Sequence, residues 1–476
     1  MSNPVADRIE ALISGEPTLT QLGEMFAAAG FELALVGGPV RDALLGITGN
    51  DWDFATNATP EEIEQILKPW AEAIWDMGRE FGTIGAQKNQ ASYEITTYRC
   101  DKYDPNSRKP EVDFGDTLSG DLSRRDFTVN SMAVRLDQLQ FVDPFQGLSD
   151  LAAGVLRTPA DPVQSFSDDP LRMMRGARFA AQLGFALEEQ TYKTMQRLRD
   201  RLQIVSAERI RDEFSKLLLT SNPRAGLAIL VDTGLADQFF PELSELRLEI
   251  DEHHRHKDVY EHSLTVLDQA MSMEHRIGGQ PDLVTRLAAL LHDIGKPRTR
   301  KFKTGGLVTF HHHDVVGAKL VRKRLRELRY PNNTIDSVSK LIELHLRFHG
   351  YGTGEWTDSA VRRYVRDAGD ELERLHILTR ADCTTRNQRK AKQLSDNYDH
   401  LEERIAKLSE AEELLSLRPD LDGNEIIQLL GIEPGPLVGE AYKFLLELRI
   451  DRGPMERDEA IAQLQKWFRE QQHSSG

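Results

Sequence analysis

The pattern of apolar residues changes near residue 168, and this change constrains the fold more than any other feature of the chain. Before it, short apolar runs typical of strands, such as residues 32–36, 51–55, 81–87 and 93–99, alternate with helical segments. One of these helices is predicted to begin at a capping box formed by Thr59 and Glu62. After it, apolar residues recur three and four positions apart and strand patterns become scarce. The sequence therefore predicts an α+β protein, with a small mixed α/β head followed by all-α domains.

Length and composition narrow the class of protein. A chain of 476 residues suggests roughly three domains of about 150 residues each. No apolar run approaches the roughly 18 residues that a membrane-spanning helix needs, and Met1 to Glu10 lack the basic start and apolar stretch of a secretory signal. Cys100 and Cys383 are the only cysteines, which suits a reducing compartment, so we expect a cytoplasmic protein without a membrane partner.

The acidic excess is unevenly distributed. The chain has 76 acidic and 60 basic residues, a formal charge of −16. Residues 1–160 hold 25 acidic and 13 basic residues and residues 401–476 hold 16 and 9, whereas residues 161–400 are near neutral with 35 and 38. Ten Lys or Arg lie between Arg298 and Arg329, where they could contact phosphates or simply form a solvated helix face. The net charge therefore does not exclude a polyanionic partner.

A glycine turn follows the first predicted strand. Gly37-Gly38 ends the apolar run, Pro39 stands at the start of a short predicted helix, and Gly46 follows its end. Backbone N–H groups at such a helix start can bind the phosphates of a nucleotide. The turn is neither a P-loop nor a Rossmann turn, because GxxxxGK[ST] is absent from the sequence and GxGxxG is absent at this position.

Carboxylates follow this turn. Asp51 and Asp53 are two apart on the second predicted strand, so both side chains should point to one face, with Trp52 and Phe54 on the other. Glu94, on a later predicted strand, could supply a third carboxylate. Mg²⁺ prefers carboxylates together with phosphate oxygens and water. The residues favour metal-dependent nucleotidyl transfer, although a DxD pair alone is also common as a solvated surface pair.

Ordered motifs extend from these features into the helical part. They are LVGGPVRD at 35–42, DWD at 51–53, RRDFTVN at 124–130, DPLRMMR at 169–175, and ER at 208–209 with Glu213. Their identity and order resemble the head and neck of class II tRNA nucleotidyltransferases and of the related bacterial poly(A) polymerases. The resemblance implies a nucleotidyltransferase head and an adjoining helical neck.

The resemblance also implies roles for the matching positions. Asp51 and Asp53 would bind the catalytic metals, and the RNA 3′-hydroxyl, activated by one of them, would attack the nucleotide α-phosphate in line as pyrophosphate leaves. Asp169 and Arg172 would read the incoming base without a nucleic-acid template, since a carboxylate accepts from an exocyclic amine and a guanidinium donates to ring acceptors. The other residues expected to bind the nucleotide are Gly37, Gly38, Arg41, Arg124, Arg125, Asp126, Asn130, Arg175 and Arg178.

Two local features bear on this resemblance. Residues 101–123, which contain Arg108 and Lys109, are interpreted either as a mobile loop like the one relatives use in changing from C to A addition, or as a plain connector. Asp168 stands where many relatives have Glu. This difference leaves Asp169 and Arg172 in place and puts in doubt only a role for the longer side chain.

A second group of ligand-type residues lies in the helical part. His262 is on one predicted helix, His292 and Asp293 end another, and Asp382 lies far downstream. Imidazole and carboxylate groups can hold a divalent metal that activates water. Their order over residues 250–385 resembles the HD phosphohydrolase superfamily.

His313 and His345 fall where two-metal HD proteins place further ligands, although either could be an ordinary surface or core histidine. We expect a divalent metal of undetermined identity at this second site. The resemblance implies phosphatase or 2′,3′-cyclic phosphodiesterase activity, which would suit repair of damaged RNA 3′ ends before nucleotide addition.

The combined prediction is an enzyme that adds CCA to tRNA 3′ ends from CTP and ATP, with Mg²⁺ at the head. Four domains are expected: a nucleotidyltransferase head at 1–150, a helical neck with the base-reading motif at 151–245, an HD domain at 246–385 and a helical tail at 386–476 that helps to hold the RNA. The oligomeric state stays open.

Three alternatives remain at this level. One is a bacterial poly(A) polymerase. Such polymerases usually have a more basic segment than residues 78–83 and a basic tail, whereas the tail of this chain is acidic. Another is a partial enzyme that adds only CC or only A. The last is an HD phosphohydrolase with a non-catalytic RNA-binding head, against which the intact Asp51 and Asp53 speak.

Overall fold

A mixed sheet forms the centre of the head. The computed structural model describes residues 4–47, 49–78, 82–102, 111–114, 117–247, 258–303, 308–351, 356–385, 387–412 and 418–474. The strands before residue 190 are β1 Leu33–Val36, β2 Asp51–Thr56, β3 Ala73–Gly78, β4 Thr83–Lys88, β5 Ala91–Thr97, β6 Arg99–Lys102, β7 Glu111–Phe114, β8 Ala133–Arg135, β9 Gln140–Val142, β10 Val155–Leu156 and β11 Ala186–Leu187. The largest sheet has seven of them in the order β3-β4-β5-β2-β1-β8-β9, with β2 parallel to β5 and the other neighbours antiparallel.

The helices of this part begin and end where the sequence places its caps. Gly46, with a φ of 77°, ends the helix that Pro39 starts, and Thr59 and Glu62 form the expected capping box at the start of the next one. The helices are α1 Pro4–Gly15, α2 Pro17–Ala28, α3 Gly38–Leu45, α4 Pro60–Leu67, α5 Leu118–Ser123, α6 Gly147–Ala153, α7 Pro162–Asp168, α8 Leu171–Leu183, α9 Glu189–Leu198, α10 Ala207–Leu218, α11 Pro223–Asp232, α12 Ala236–Phe239 and α13 Pro241–Glu245.

The predicted carboxylates lie on the face of the head sheet that is opposite the main core. Trp52 and Phe54 are 5% and 1% exposed and belong to the main core, which also contains Phe179 of α8. Asp51 and Asp53 therefore project from the opposite face, as the alternation predicts. The core joins the head sheet to the first helix of the following helical segment, so this helix is fixed relative to the strands.

The second half of the chain is helical, as predicted. Its described residues include a short hairpin, β12 Lys301–Phe302 with β13 Val308–Thr309. Its helices are α14 Val259–Ser272, α15 Leu283–Leu291, α16 Lys296–Thr299, α17 His313–Glu327, α18 Asn332–Leu344, α19 Asp358–Ala368, α20 Leu372–Ala381, α21 Gln388–Glu412, α22 Gly423–Leu430, α23 Pro436–Arg452 and α24 Arg457–Ser474. The α+β fold class is confirmed.

The chain divides into two units, Met1–Ser244 and Glu245–Gly476. Within the second unit, α22, α23 and α24 share a small apolar core of their own, which includes Leu421, Leu445 and Leu464. The four-domain division is finer than these two units and stays a prediction. Among the described residues, no helix is both long and apolar enough to cross a membrane.

Candidate active site and metal centre

Three carboxylates share the face of the head sheet opposite the main core. In the pairing of β2 with β5, Asp53 lies opposite Glu94, and Asp51 projects from the same face two positions earlier. Burial raises the pKa of Asp53, and Asp51 adds to this effect while Arg125 opposes it. Burial, followed by repulsion from Asp53 and Asp51, also raises the pKa of Glu94. A divalent cation would relieve this repulsion, so the three residues fit the metal site predicted for them.

The glycine turn adjoins these carboxylates. Gly37 has a φ of 74°, a left-handed conformation that favours glycine. A Cβ at Gly37 would lie 2.9 Å from Arg125 Nη1 and 4.0 Å from Asp53 Oδ2. Gly38 begins α3, whose first N–H groups have no partner within the helix. The turn thus brings backbone donors next to a guanidinium and a metal-type carboxylate.

A buried chain of hydrogen bonds fixes the predicted phosphate-binding side chains. Arg41 Nη1 donates to Asn130 Oδ1 at 2.6 Å, and Asn130 Nδ2 donates to Asp126 Oδ1 at 2.9 Å. Arg175 Nε donates to the other Asp126 oxygen at 2.7 Å. Burial disfavours the charged form of Asp126, but the Arg175 guanidinium outweighs it and holds the pKa of this carboxyl well below its usual range. Asp126 thus links the arginine of α3 to that of α8.

Asp121 positions the predicted pair Arg124 and Arg125, and the sequence analysis missed it. Its two carboxylate oxygens accept from Arg124 Nη2 at 2.6 Å and from Arg125 Nη2 at 3.1 Å. Asp121 is 1% exposed. Burial alone would raise its pKa, but Arg125 and Arg124 hold that pKa below its usual value. The spacing of three and four residues within one helical turn is the signal that could have revealed this residue.

The predicted base-reading residues occupy different environments. Arg172 is buried and donates to Ser165 Oγ at 2.9 Å and to the backbone carbonyl of Arg124. Asp169 is more exposed and pairs with Arg209 at 2.9 Å. Both residues lie in the described part of the chain, where they form no ion pair with each other. Asp169 also accepts from the backbone N–H of Leu171 at 3.2 Å, so each of the two residues is held by its own partners rather than by the other.

Arg175 and Arg178 lie beside the same aromatic ring. Arg178 Nε donates to Glu213 Oε2 at 2.7 Å, and its guanidinium carbon lies 4.2 Å from the centre of the Phe179 ring. Arg175 and Arg41 are each 5.4 Å from this ring. Glu213 is a second acidic partner that was recognised only as part of a motif, because it is 35 positions from Arg178. These contacts hold three cationic groups against an apolar surface.

The second predicted site is a cluster of imidazoles and carboxylates. His262 Nε2 lies 2.9 Å from Asp382 Oδ1 and 3.3 Å from His292 Nε2. His292 Nε2 is 3.3 Å from Asp293 Oδ2, while the other Asp293 oxygen is 3.2 Å from His313 Nε2. His292 and Asp293 are 0% and 2% exposed. Residues up to 120 positions apart thus direct potential metal ligands to one place.

The histidine ring orientations are those of metal ligands. The Nδ1 atoms of His292, His313 and His345 each lie 2.6–2.9 Å from the carbonyl oxygen three residues earlier. Each Nδ1 can therefore donate a hydrogen, which leaves Nε2 with a lone pair for a metal. His345 Nε2 is buried, and among the described residues it has no hydrogen-bond partner. His262, His292 and Asp293 form one possible ligand group, and Asp293, His313 and His345 form another, so the residues fit two metal ions that share Asp293.

Proton affinity in this cluster reflects its charge. Burial works against protonation of His292, but Asp293 and Asp382 outweigh it and raise the pKa of His292 to about 10. Burial, reinforced by His292, lowers the pKa of His345 to about 4. The half of the cluster near Asp382 therefore attracts positive charge, and His345 stays neutral, which is the form that binds a metal.

Two further residues contact this cluster and were not predicted from the sequence. Thr384 Oγ1 lies 3.2 Å from His262 Nδ1. Lys296 Nζ lies 2.8 Å from Asp293 Oδ2. The position of Lys296, three residues after Asp293, could have indicated this contact, whereas Thr384 is 122 positions from His262.

Some sequence predictions fall partly or wholly outside the described residues. Arg108 and Lys109 lie outside them, so the loop interpretation of residues 101–123 stays a prediction. The comparison based on residues 78–83 also includes positions outside them. In the basic stretch from Arg298 to Arg329, Arg322 pairs with Asp336 at 2.5 Å and Arg324 with Glu327 at 2.8 Å. Phosphate contact by this stretch stays a prediction.

Family models match three successive parts of the chain. Residues 33–157 match the poly A polymerase head domain. Residues 184–246 match the probable RNA and SrmB-binding site of polymerase A, and residues 259–387 match the HD domain. The glycine turn and carboxylates lie in the first match and the imidazole cluster in the third.

Curated relatives match over most of the chain. An A-adding tRNA nucleotidyltransferase of Deinococcus radiodurans is 32% identical over 444 residues, which cover 92% of this chain and 96% of that protein. A CCA-adding enzyme of Streptococcus thermophilus is 32% identical over 439 residues, 92% of each chain. A CCA-adding enzyme of Enterococcus faecalis is 43% identical over 220 residues, 46% of this chain and 52% of that protein.

Solved structures share the fold. The CCA-adding enzyme of Bacillus stearothermophilus in complex with CTP aligns over 100% of both chains with a TM-score of 0.68 and 24% identity. The CCA-adding enzyme of Thermotoga maritima complexed with tRNA aligns over 95% of both chains with a TM-score of 0.58 and 19% identity. With the relatives that match along almost the whole length, these similarities identify the chain as a member of the tRNA nucleotidyltransferase family, which includes the CCA-adding and A-adding enzymes.

Proposed function

We propose that this chain is a cytoplasmic enzyme that adds C, C and A to tRNA 3′ ends from CTP and ATP. The observation that carries the proposal is the placement of Asp51, Asp53 and Glu94 on one sheet face beside the Gly37 turn and the Arg125 guanidinium. This arrangement combines ligands for a divalent cation with donors for a triphosphate. The full-length similarity to tRNA nucleotidyltransferases supports tRNA as the acceptor.

In the proposed reaction the tRNA 3′-hydroxyl gives up its proton to water, its oxygen bonds to the α-phosphorus of the nucleotide, and the bond from that phosphorus to pyrophosphate breaks. Asp51, Asp53 and Glu94 would hold Mg²⁺, which when bound neutralises charge on the phosphoryl group. The N–H groups at the start of α3 and the Arg41 guanidinium orient the triphosphate. Because Arg41 is held by Asn130, it is pre-organised before the nucleotide arrives.

Base selection is proposed to come from Asp169 and Arg172. Arg172 is buried and fixed through Ser165, so its guanidinium presents donors in a defined direction. Asp169 is an acceptor on the segment that joins α7 to α8. Cytosine and adenine both carry an exocyclic amine beside a ring acceptor, so one donor and one acceptor can read either base.

The alternatives to this proposal differ in which nucleotides are added before addition stops. Relatives with equal identity and coverage include an A-adding and a CCA-adding enzyme. We favour complete CCA addition because a CCA-adding relative reaches 43% identity over the segment that it matches. The test is to incubate the protein with Mg²⁺ and tRNA lacking its 3′ end, offering CTP alone, ATP alone or both.

Incorporation of CCA followed by a stop is the expected result of that assay. Addition of A only to tRNA that already ends in CC would identify an A-adding enzyme, and addition of CC alone would identify a CC-adding one. A long A tail from ATP alone would identify a poly(A) polymerase. An absence of incorporation would favour an HD phosphohydrolase with a non-catalytic head.

Substitutions in the head test the roles of its residues in the same assay. Asp53→Ala should abolish incorporation, because it removes a carboxylate from the metal site. Arg172→Ala should relax the choice between CTP and other nucleotides while incorporation continues. Arg211→Ala is a matched control, since Arg211 pairs with its exposed neighbour Asp212 on α10. Unchanged base selection in Arg172→Ala would contradict the proposed reading pair.

We further propose that the imidazole cluster hydrolyses phosphate esters at RNA 3′ ends. The observation that favours this activity is the convergence of six predicted ligands, together with the buried Nε2 of His345, which has no hydrogen-bond partner among the described residues. A bound divalent metal would supply an activated water. Removal of a terminal or cyclic phosphate exposes the 3′-hydroxyl that nucleotide addition requires.

A further inference from the structure

A row of residues crosses the face of the head sheet opposite the main core and ends in an exposed tryptophan. Asp53 on β2 is opposite Glu94 on β5, Glu94 is opposite Gly85 on β4, and Gly85 is opposite Trp75 on β3. Directly paired residues of neighbouring strands point to the same face. Trp75 is therefore on the face that carries the metal-type carboxylates.

The indole of Trp75 lies over Gly85. A Cβ on Gly85 would come within 2.5 Å of the Trp75 atoms Nε1 and Cε2, so no larger residue could occupy this place without moving the ring. Trp75 is 37% exposed and Met77 is 46% exposed, so this part of the face presents an apolar surface to solvent. The indole is about one strand spacing, roughly 5 Å, from the strand that carries Glu94.

The order of the strands places Trp75 and the Gly37 turn on opposite sides of the carboxylates. The Gly37 turn follows β1, which lies beside β2 on the side away from β5. Trp75 lies beyond β5 and β4, so the carboxylates stand between the triphosphate-binding turn and the tryptophan. In phosphoryl transfer the attacking and leaving oxygens are roughly in line on opposite sides of the phosphorus. A nucleophile opposite the pyrophosphate therefore approaches from the Trp75 side.

We propose that Trp75 stacks on the base of the 3′-terminal nucleotide of the acceptor RNA and positions its 3′-hydroxyl for attack. The inference rests on the proposed nucleotidyl transfer and assigns a binding residue for its second substrate. An aromatic platform suits an RNA end whose last base changes after each addition, because every base has a π face. Gly85 contributes by leaving space for the indole close to the carboxylates.

The test combines Trp75→Ala with an RNA acceptor whose terminal nucleotide lacks its base but keeps its ribose and 3′-hydroxyl. For the ordinary RNA, Trp75→Ala should raise Kd and KM about ten-fold, within the range of base stacking on an aromatic side chain. The KM for CTP should stay unchanged. Removal of the terminal base should weaken RNA binding by the wild-type protein by a similar factor. It should not weaken RNA binding by Trp75→Ala any further.

Three variants complete the design. Trp75→Phe should retain most of the affinity for RNA, whereas Trp75→Leu, which fills space without a flat π face, should behave like Trp75→Ala. Leu139→Ala is the control, since Leu139 is 56% exposed on the turn between β8 and β9 at the other edge of the same sheet. It should bind both RNAs as the wild type does. If Trp75→Ala does not fold, Trp75→Phe and Trp75→Leu decide the comparison.

Two results would overturn the inference. One is unchanged RNA affinity in Trp75→Leu and Trp75→Ala. The other is that Trp75→Ala weakens binding of the abasic RNA by the same factor as it weakens binding of the ordinary RNA. Independent losses of this kind would mean that the indole ring and the base do not touch. RNA affinity is measured by equilibrium titration without nucleotide and therefore does not depend on catalysis. A wild-type protein that binds RNA but incorporates no nucleotide would contradict the proposed function and not this contact.

Discussion

Thr384 holds the outermost histidine of the imidazole cluster in a defined orientation. For His262 Nε2 to bind a metal through its lone pair, its hydrogen must be on Nδ1, and Thr384 Oγ1 is 3.2 Å from that atom. The other three histidines use backbone carbonyls for this purpose. His262 is therefore the one histidine of these four whose orientation depends on a side chain that substitution can remove.

Thr384→Val should weaken metal binding by about ten-fold or more, because loss of such an outer partner commonly costs that much. The measurement is calorimetric titration of metal-free protein with Mn²⁺, with Asp51 and Asp53 also replaced by Ala so that the head does not contribute. Thr384→Ser, which keeps the hydroxyl, should restore the affinity.

Thr385→Val is the matched control for this experiment. Thr385 Oγ1 accepts a hydrogen bond from the backbone N–H of Asn387, and within the described part of the chain it forms no hydrogen bond to His262. Its substitution should leave Mn²⁺ affinity unchanged. Equal affinities in Thr384→Val and Thr385→Val would show that the Thr384 contact does not orient His262.

The residues that could be predicted from the sequence are those with local signatures. Asp51 and Asp53 were recognisable because strand alternation puts them on one face, and Asp169 and Arg172 because of a continuous motif. Thr384 and Glu213 were not recognised as partners, since their contacts span 122 and 35 positions and no local pattern encodes such a pairing. Trp75 was overlooked for the same reason, because its relation to Glu94 depends on the pairing of three strands.

At the scale of the element, the turn from β1 into α3 combines two requirements at one residue. Gly37 has a positive φ, and its missing side chain leaves room for the Arg125 guanidinium, which a Cβ would approach to 2.9 Å. Any other residue there would strain the backbone and crowd the Arg125 guanidinium, which we propose to contact the triphosphate. The sequence predicted a phosphate-binding turn from GlyGly-Pro, but not that Arg125 lies against it, because Arg125 is on a distant segment.

Gly37→Ala should reduce nucleotide affinity by about ten-fold or more, as expected for loss of one charge-assisted contact. Gly30→Ala is the matched control: Gly30 has a φ of 87° and a Cβ there would meet nothing within 4 Å. Both variants should lose about 1 kcal/mol of stability from backbone strain. Titration with CTP and thermal unfolding separate the two effects, and equal CTP affinities in both variants would contradict the role of the turn.

Element boundaries were predicted less well than element identities. The strand expected at residues 81–87 is β4 Thr83–Lys88, and the one expected at 93–99 is β5 Ala91–Thr97. The ends differ because hydrogen bonding to neighbouring strands, rather than side-chain preference, decides where a strand stops. The capping box at Thr59 was predicted to the residue, since both of its hydrogen bonds are local.

At the scale of the whole molecule, the acidic charge is compatible with an RNA substrate. The carboxylates of the head include metal-type ligands and buried partners of arginine, such as Asp121 and Asp126, whose charge is balanced within the protein. A net charge of −16 therefore overstates the negative potential that an RNA end would meet at the site. The sequence gives the sum of the charges, whereas the fold decides which of them are already paired.

The two candidate sites lie in different units of the chain, so their activities should be separable. The carboxylates and the glycine turn belong to Met1–Ser244, and the imidazole cluster belongs to Glu245–Gly476. Replacing His292 and Asp293 by Ala should abolish hydrolysis of RNA ending in a 2′,3′-cyclic phosphate, because it removes ligands of both candidate metal groups. Nucleotide addition to RNA with a free 3′-hydroxyl should continue at the wild-type rate.

The reciprocal variant, with Asp51 and Asp53 replaced by Ala, should lose nucleotide addition and keep hydrolysis. Because His292 and Asp293 are buried, Asp382→Asn serves as a milder change in the same cluster, and circular dichroism checks that each variant is folded.

On RNA ending in a cyclic phosphate, wild-type protein supplied with CTP and ATP should first remove the phosphate and then extend the end. Mixing the two inactive variants should restore this sequence of reactions, since each supplies the site that the other lacks. Loss of both activities in a folded variant of either cluster would show that the two sites depend on each other.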